Sequence, residues 1–334
     1  MKARNSQWMR WVLAIGIVGA GLPAARGANP LSDLTWDPEI VGVACTDDCA
    51  GCGDGCCCDC GDRCCEGLLF GLIKPSDHCF DDFISPMTNP TYFEDPRALT
   101  EARAIYLHHV VPGAAGGGEI DLFALQLRAR ITDRLSIIAT KDGYATSSNP
   151  LIRDGWADVA AGLKYTLYRD VQAQRLLSAG LTYEMPVGSP RTLQGNGDGD
   201  FHLFLTGGMQ LLDYGHWISG GGLRLPADSN TGSQMSYWSN HFDYQVFDGW
   251  YALTEFNWYH WMKSGAGGLP GVEGGDLFNL GSTGVAGNDI ATWAFGGKYK
   301  PSRNVELGVA YEIPMTDRRD VLENRLTVDA ILRY

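Results

Sequence analysis

The chain has 334 residues, 45% of them hydrophobic and 19% charged, with 43 glycines, 10 tryptophans and 14 tyrosines. That is enough to fold as one large domain or two ordinary ones. Its formal charge is −13, and removing the four basic residues of the first 27 (Lys2, Arg4, Arg10, Arg26) takes it to −17. This argues against nucleic acid as a partner, because nothing would replace the counterions on the phosphates.

In chain order, residues 1–27 read as an export signal: a basic start, an apolar run from Trp11 to Leu22, and small residues Ala25 and Gly27 before a cut ahead of Ala28. No other stretch reaches the roughly 18 uninterrupted apolar residues of a membrane helix. Insertion in a membrane would therefore have to be by strands, since only helices and closed barrels satisfy every backbone group in lipid.

Residues 28–97 differ from the remainder of the chain, being rich in Cys, Gly, Asp and Pro with little periodicity. Nine of the ten cysteines (Cys45, Cys49, Cys52, Cys56, Cys57, Cys58, Cys60, Cys64, Cys65) crowd together, and Cys79 stands apart. In an exported chain the first reading is disulfides, whose connectivity spacing cannot give. The second is a soft metal ion held by thiolates, although Cys49-x-x-Cys52 lacks a second zinc half-site at the usual separation. No other cofactor is expected. Residues 28–97 are expected to form a periplasmic or plug segment: Phe80 to Arg97, rich in Asp and aromatics, either enters a lumen or forms an ordered leader.

From residue 98 onward the pattern becomes long alternating runs, at 99–111, 119–131, 134–145, 156–168, 174–187, 201–212, 216–225, 234–246, 250–262, 290–300, 305–313 and 324–334. Period two means strands. In the last run Leu326, Val328, Ala330, Leu332 and Tyr334 alternate with Arg325, Thr327, Asp329, Ile331 and Arg333. Arginines at alternate positions would ruin a soluble core but suit a wet lumen. Short and long connections alternate without exception, and the runs are near the ~9–11 residues of a tilted membrane strand. The expected fold is all-β: a transmembrane antiparallel up-and-down barrel of about twelve strands spanning 98–334, behind a Cys-rich non-barrel segment.

Three stretches carry a resemblance: Gly155-Trp156-Ala157-Asp158-Val159-Ala160-Ala161-Gly162-Leu163-Lys164-Tyr165, Ala179-Gly180-Leu181-Thr182-Tyr183-Glu184-Met185-Pro186-Val187-Gly188, and Gly195-Asn196-Gly197-Asp198-Gly199-Asp200. They are similar to the porin-like outer-membrane barrels of the phenol-degradation meta-pathway type, in the strand opening, the strand ending in Pro-x-Gly and the Gly-Asp loop. The Cys-rich segment departs from that group. The resemblance implies an outer-membrane location and passage of small molecules, and leaves the solute open.

If the alternation holds, the lumen is lined by Arg128, Arg130, Asp158, Lys164, Glu184, Arg224, Glu255, Lys298, Glu306, Glu312, Arg325, Asp329 and Arg333. Such mixed charges either flank a water path or pair into a structural network. Asn196, Asp198 and Asp200 alternate as in some calcium loops but lack the closing glutamate, so a glycine turn is the default. Trp217, Trp238, Trp250, Trp258, Trp261 and Trp293 are expected in interfacial belts. His108 and His109 are adjacent and must face opposite sides of one strand. Ser239 and His241 share a face without an orienting third group, and no Gly-x-Ser-x-Gly elbow occurs, so a lipid hydrolase is disfavoured. The expected function is a non-enzymatic channel for small solutes, with a barrel that anchors a Cys-rich structural or metal-binding module as the alternative. Expected partners are the outer-membrane bilayer, the outer-membrane assembly machinery reading Tyr334, and the solutes themselves.

Overall fold

The structure, a computed structural model, describes residues 68–334. The signal and the nine clustered cysteines lie outside the described residues. No helix among the described residues is long and apolar enough to cross a membrane.

The strands are β1 (Glu101–Val110), β2 (Glu119–Arg130), β3 (Leu135–Lys141), β4 (Tyr144–Ser147), β5 (Gly155–Trp156), β6 (Val159–Asp170), β7 (Arg175–Met185), β8 (Asp200–Leu212), β9 (Gly215–Pro226), β10 (Gln234–Phe247), β11 (Trp250–Lys263), β12 (Asp289–Ser302), β13 (Val305–Pro314) and β14 (Asn324–Arg333). All neighbours are antiparallel, and β1 pairs with both β2 and β14, which closes the sheet and leaves no edge. β2 carries β3 along Leu127–Arg130 and β4 along Ile120–Phe123, so β3 and β4 are halves of one stave, as are β5 and β6. Fourteen strands therefore make a closed barrel of twelve staves.

The pleat explains the sequence pattern. Along β13, Leu307, Val309 and Tyr311 are exposed on the outside while Glu306, Ala310 and Glu312 are buried inside. Successive side chains on a strand point to opposite faces, so one apolar and one polar set emerge from a single run. The outer apolar surface is bounded by exposed aromatics at both ends, Tyr144, Trp156, Trp238 and Trp293 toward one and Tyr168, Tyr214, Tyr244 and Trp250 toward the other. Trp261 departs from its expected place in a belt. It is fully buried inside, beneath the Arg318 guanidinium at 5.5 Å, because its position on β11 has inward parity.

One end of the barrel holds the start of β1, the end of β14 and five tight turns, and the other holds six longer loops. The Asp248-Gly249 turn shows how tight: Phe247 pairs with Trp250, and Gly249 takes φ +69°, a conformation that favours glycine in two-residue hairpins. Within the Cα register one irregularity stands out. Between Ala139 and Tyr144 the β3–β4 stave holds one more residue than β2 opposite, a bulge at Thr140-Lys141, next to Asp142-Gly143, where the register to β6 also shifts and two successive side chains are buried.

Because Phe295 sits mid-strand on the outer face, Phe295→Arg is expected to cost about 2–4 kcal/mol of stability in lipid vesicles, and Phe295→Leu far less. Denaturant unfolding in vesicles measures both.

Candidate functional site

The lumen is filled by the chain's own amino-terminal segment. Ser76 N–H donates to the Tyr334 carbonyl, and Asp77 N–H to that of Ala98, so residues 77–98 leave the turn end, run into the barrel and return as a loop with pinned ends. Phe80, Phe83, Ile84, Met87, Tyr92 and Phe93 are all buried there, packing on inward wall residues such as Leu176, Ile218, Leu253 and Tyr237. The wall makes room with glycine: an added Cβ would meet Phe93 at 3.0 Å from Gly220, Phe83 at 3.1 Å from Gly208 and the Met87 sulfur at 2.5 Å from Gly308.

Polar contacts fix the plug's position. Arg128 grips Glu94 with two bonds of 2.7 and 2.6 Å, and Lys164 adds a third at 2.8 Å. Arg128 also reaches Glu101 at 3.0 Å, Glu101 pairs with Arg333 at 2.8 Å, and Arg333 with Glu306 at 2.5 Å. From Glu306 the chain of ions continues through Lys298 (3.3 Å) to Asp329 (2.9 Å) and Arg103 (2.8 Å). The plug supplies its own pair, Asp95–Arg97 at 2.7 Å, and Ser85 links Asp95, Arg333 and Glu306. Nearer the plug's tip, Glu255 accepts from the backbone N–H of Met87 and Thr88 and pairs with His241 at 2.6 Å.

The remaining predicted residues divide by height. Glu312 pairs with Arg325 at 2.7 Å, and Arg325 with Asp276 at 2.9 Å. Arg224 donates to Ser233 and to the carbonyls of Gly275 and Phe278. Asp276, Gly275 and Phe278 belong to the loop between β11 and β12, which folds into the barrel mouth. Glu184 pairs with Lys141 at 2.5 Å, and Asp158 accepts from the N–H of Gly188 and Gly195. Arg130 stands apart, half-buried at the turn end with Asp133 and the Pro75 carbonyl. In this conformation the two signs of charge thus form a paired network around a plug, and both ends of the lumen are covered.

Sequence reasoning missed the plug's Glu94, Asp95 and Arg97 as partners of the wall, and also Glu101, Arg103, Lys141 and Lys300. Glu101 and Arg103 share the inward parity of β1, but their face turns apolar at Ile105 and Leu107, which hides the period. Lys300 donates to the Asp81 carbonyl. Elsewhere, His109 points inward to the Val321 carbonyl and His108 outward to Asp121. Ser239 accepts from Asn89, and both nitrogens of His241 face carboxylates, Glu255 and Asp243, so neither side chain addresses the other. Asn196 donates to the Leu193 carbonyl and Asp200 accepts from Asn279. Among the described residues no group of three His, Cys, Asp or Glu side chains is placed to hold a metal.

No protein-family model matches the sequence, and no characterised protein matches it at a significant level. Among solved structures, the NanC porin superposes with a TM-score of 0.44 at 8% identity, over 70% of this chain and 98% of the porin. The KdgM porin gives 0.41 at 12% identity, over 70% and 99%. The β domain of the Bordetella autotransporter BrkA gives 0.44 at 11%, over 71% and 99%. Similarity at this level carries nothing about activity.

These contacts set two expected outcomes. Glu94→Ala strands Lys164 as a buried cation and leaves Arg128 only Glu101, so with the plug in place it should destabilise the protein by about 3–5 kcal/mol, read by thermal unfolding. In the mouth, burial pushes the Asp320 carboxyl up to about 7 against the pull of Arg318. The closed mouth therefore holds a proton that an open one releases above pH ~4. Closure should weaken as pH rises from there to about 7 and level off above. Hydrogen exchange of the 315–323 loop should show that slope, and Asp320→Asn should abolish it.

Proposed function

We propose that this protein is an outer-membrane channel for small solutes, closed at rest by its amino-terminal plug and its mouth loop. The observation that carries the reading is the chemistry of the plug's seat. A lumen meant only as a packed core would be filled by apolar side chains of the wall. Here it is filled by a separate loop of chain, and the strongest bonds between loop and wall are between ions. Withdrawing the plug would let water resolvate Glu94, Asp95 and the wall cations, so the pairs hold position without making release prohibitive. Breaking one pair in place, by contrast, strands a buried charge.

On this reading Arg128, Lys164, Glu255, Lys298, Glu306, Asp329 and Arg333 become the pore wall when the plug leaves, and their mixed signs set ion preference. The end with the tight turns faces the periplasm and the long loops face outward, as in other barrels of this type. The bilayer and the outer-membrane assembly machinery, reading Tyr334, are the implied partners. The likeness of residues 155–200 to phenol meta-pathway barrels agrees with this placement and names no solute.

Single-channel recording in planar bilayers tests the proposal. The intact protein should be almost silent, and Glu94→Lys with Asp95→Lys, which sets like charges against Arg128 and Lys164, should give discrete steps. Silence in the double variant, both alone and with residues 269–283 of the mouth loop removed, from protein shown to be folded, would reject the channel in favour of a barrel that anchors the Cys-rich module.

A further inference from the structure

Just below the loop end, where His108 and Asp121 face outward and His109 inward, β1 and β2 are apolar on both faces. Outward stand Ala104, Tyr106, Phe123 and Leu125, and inward Ile105, Leu107, Ile120 and Leu122. A wall facing lipid on one side and water or ions on the other has no reason for this. The inner apolar face encloses a chamber of about 50 Å³, roofed by Leu277 and Phe278 of the mouth loop and floored by Pro90 and Thr91 of the plug. On the lipid side of the same staves lies a groove of about 820 Å³, shallow because Ala104 pairs with Ala330 on its floor and rimmed by Tyr106, Phe123 and Trp156.

Chamber and groove share Ile105, Ala124, Asp142 and Ala157. They lie on opposite sides of the wall where the ladder between β2 and the β3–β4 stave is broken. Leu125 of β2 has no ladder partner on the β3–β4 stave, and its N–H donates instead to the Asp142 carboxylate at 2.7 Å. Next to it, Gly143 takes φ +123°, and a Cβ there would sit 2.5 Å from the Phe123 carbonyl oxygen. Asp142 itself has no cationic partner among the described residues, unlike Glu94, Glu306 and Glu312 in the lumen. An ionisable group at membrane depth without a counter-ion is costly and marks function rather than packing.

We propose that this bulge is a lateral portal through which small, uncharged apolar molecules pass between the bilayer and the chamber, with the Asp142–Leu125 bond as its latch. The proposal rests on the channel reading and gives it a solute class. An apolar solute gains nothing in a lumen crowded with ion pairs, which it cannot solvate, whereas groove and chamber both offer it surface of its own kind. The free space of the chamber is smaller than the roughly 150 Å³ that accommodates a benzene ring in a dry protein cavity. Occupation therefore requires Leu277 and Phe278 to withdraw, which ties the portal to the mouth loop.

The test uses the full chain in lipid vesicles with Ala145→Cys, a position buried in the chamber. The probes are neutral N-phenylmaleimide and a cationic trimethylammonium methanethiosulfonate, with modification at position 145 read by peptide mass. The neutral probe should react several-fold faster than the charged one. Ala104→Trp or Ala330→Trp, each filling only the lipid-side groove, should slow it, and Asp142→Ala should speed it. Equal rates with and without the groove filled, equal rates for both probes, or no reaction with the neutral probe would overturn the portal. Two groove variants are used so that one folding failure does not decide the result, and heat-modifiable gel migration confirms the fold. Conductance of the same vesicles reads the channel separately, so the portal can fail while the channel stands.

Discussion

The structure depends on the three bonds that Arg128 and Lys164 make to Glu94. Through Glu101, Arg333 and Glu306 those bonds join a continuous set of buried ions, which holds a loop of chain inside a barrel where apolar packing alone would leave its depth and rotation loosely defined. Ion pairs with short, directed geometry have few alternative arrangements, and each wrong placement leaves a buried charge exposed to low dielectric. Glu94 thus acts as a register pin, and the aromatic side chains of the plug fill the space that the pin defines.

The same physics separates holding from sealing. Apolar contacts on Phe80, Phe83 and Phe93 exclude water around the plug wherever it sits, and glycines at 208, 220 and 308 let it approach the wall closely. The ionic contacts are specific to one position and lose little when water replaces them together. A second chain of polar contacts, Glu312–Arg325–Asp276, reaches the mouth loop from the opposite end. The two closures are independent of each other in sequence, yet both lean on the inward faces of β13 and β14.

Against that ionic lumen the apolar chamber beside β1 and β2 is an exception, and it coincides with the break in the ladder between β2 and the β3–β4 stave. A bulge shifts the twist and frees a backbone donor, and here a side chain closes what the backbone leaves open. Backbone irregularity, an unpaired carboxylate and apolar surface on both sides of the wall fall within a few residues of each other.

The sequence alone determined the barrel. Period-two alternation in runs such as 305–313 and 324–334, with short and long connections in strict turn, is the pattern a closed up-and-down barrel requires, and in the structure the proposed lumen residues other than the half-buried Arg130 are buried. Parity is a local property, fixed by the geometry of one strand. Only the tertiary structure decided what those residues face. Glu94 meets Arg128 across 34 positions and Glu306 meets Ser85 across 221, separations at which no local pattern couples one residue to another. The 76–97 segment has no period because, beyond one 3-10 turn at His78–Phe80, it is neither helix nor strand, so its place in the lumen is set by complementarity with a wall that exists only once the barrel has closed.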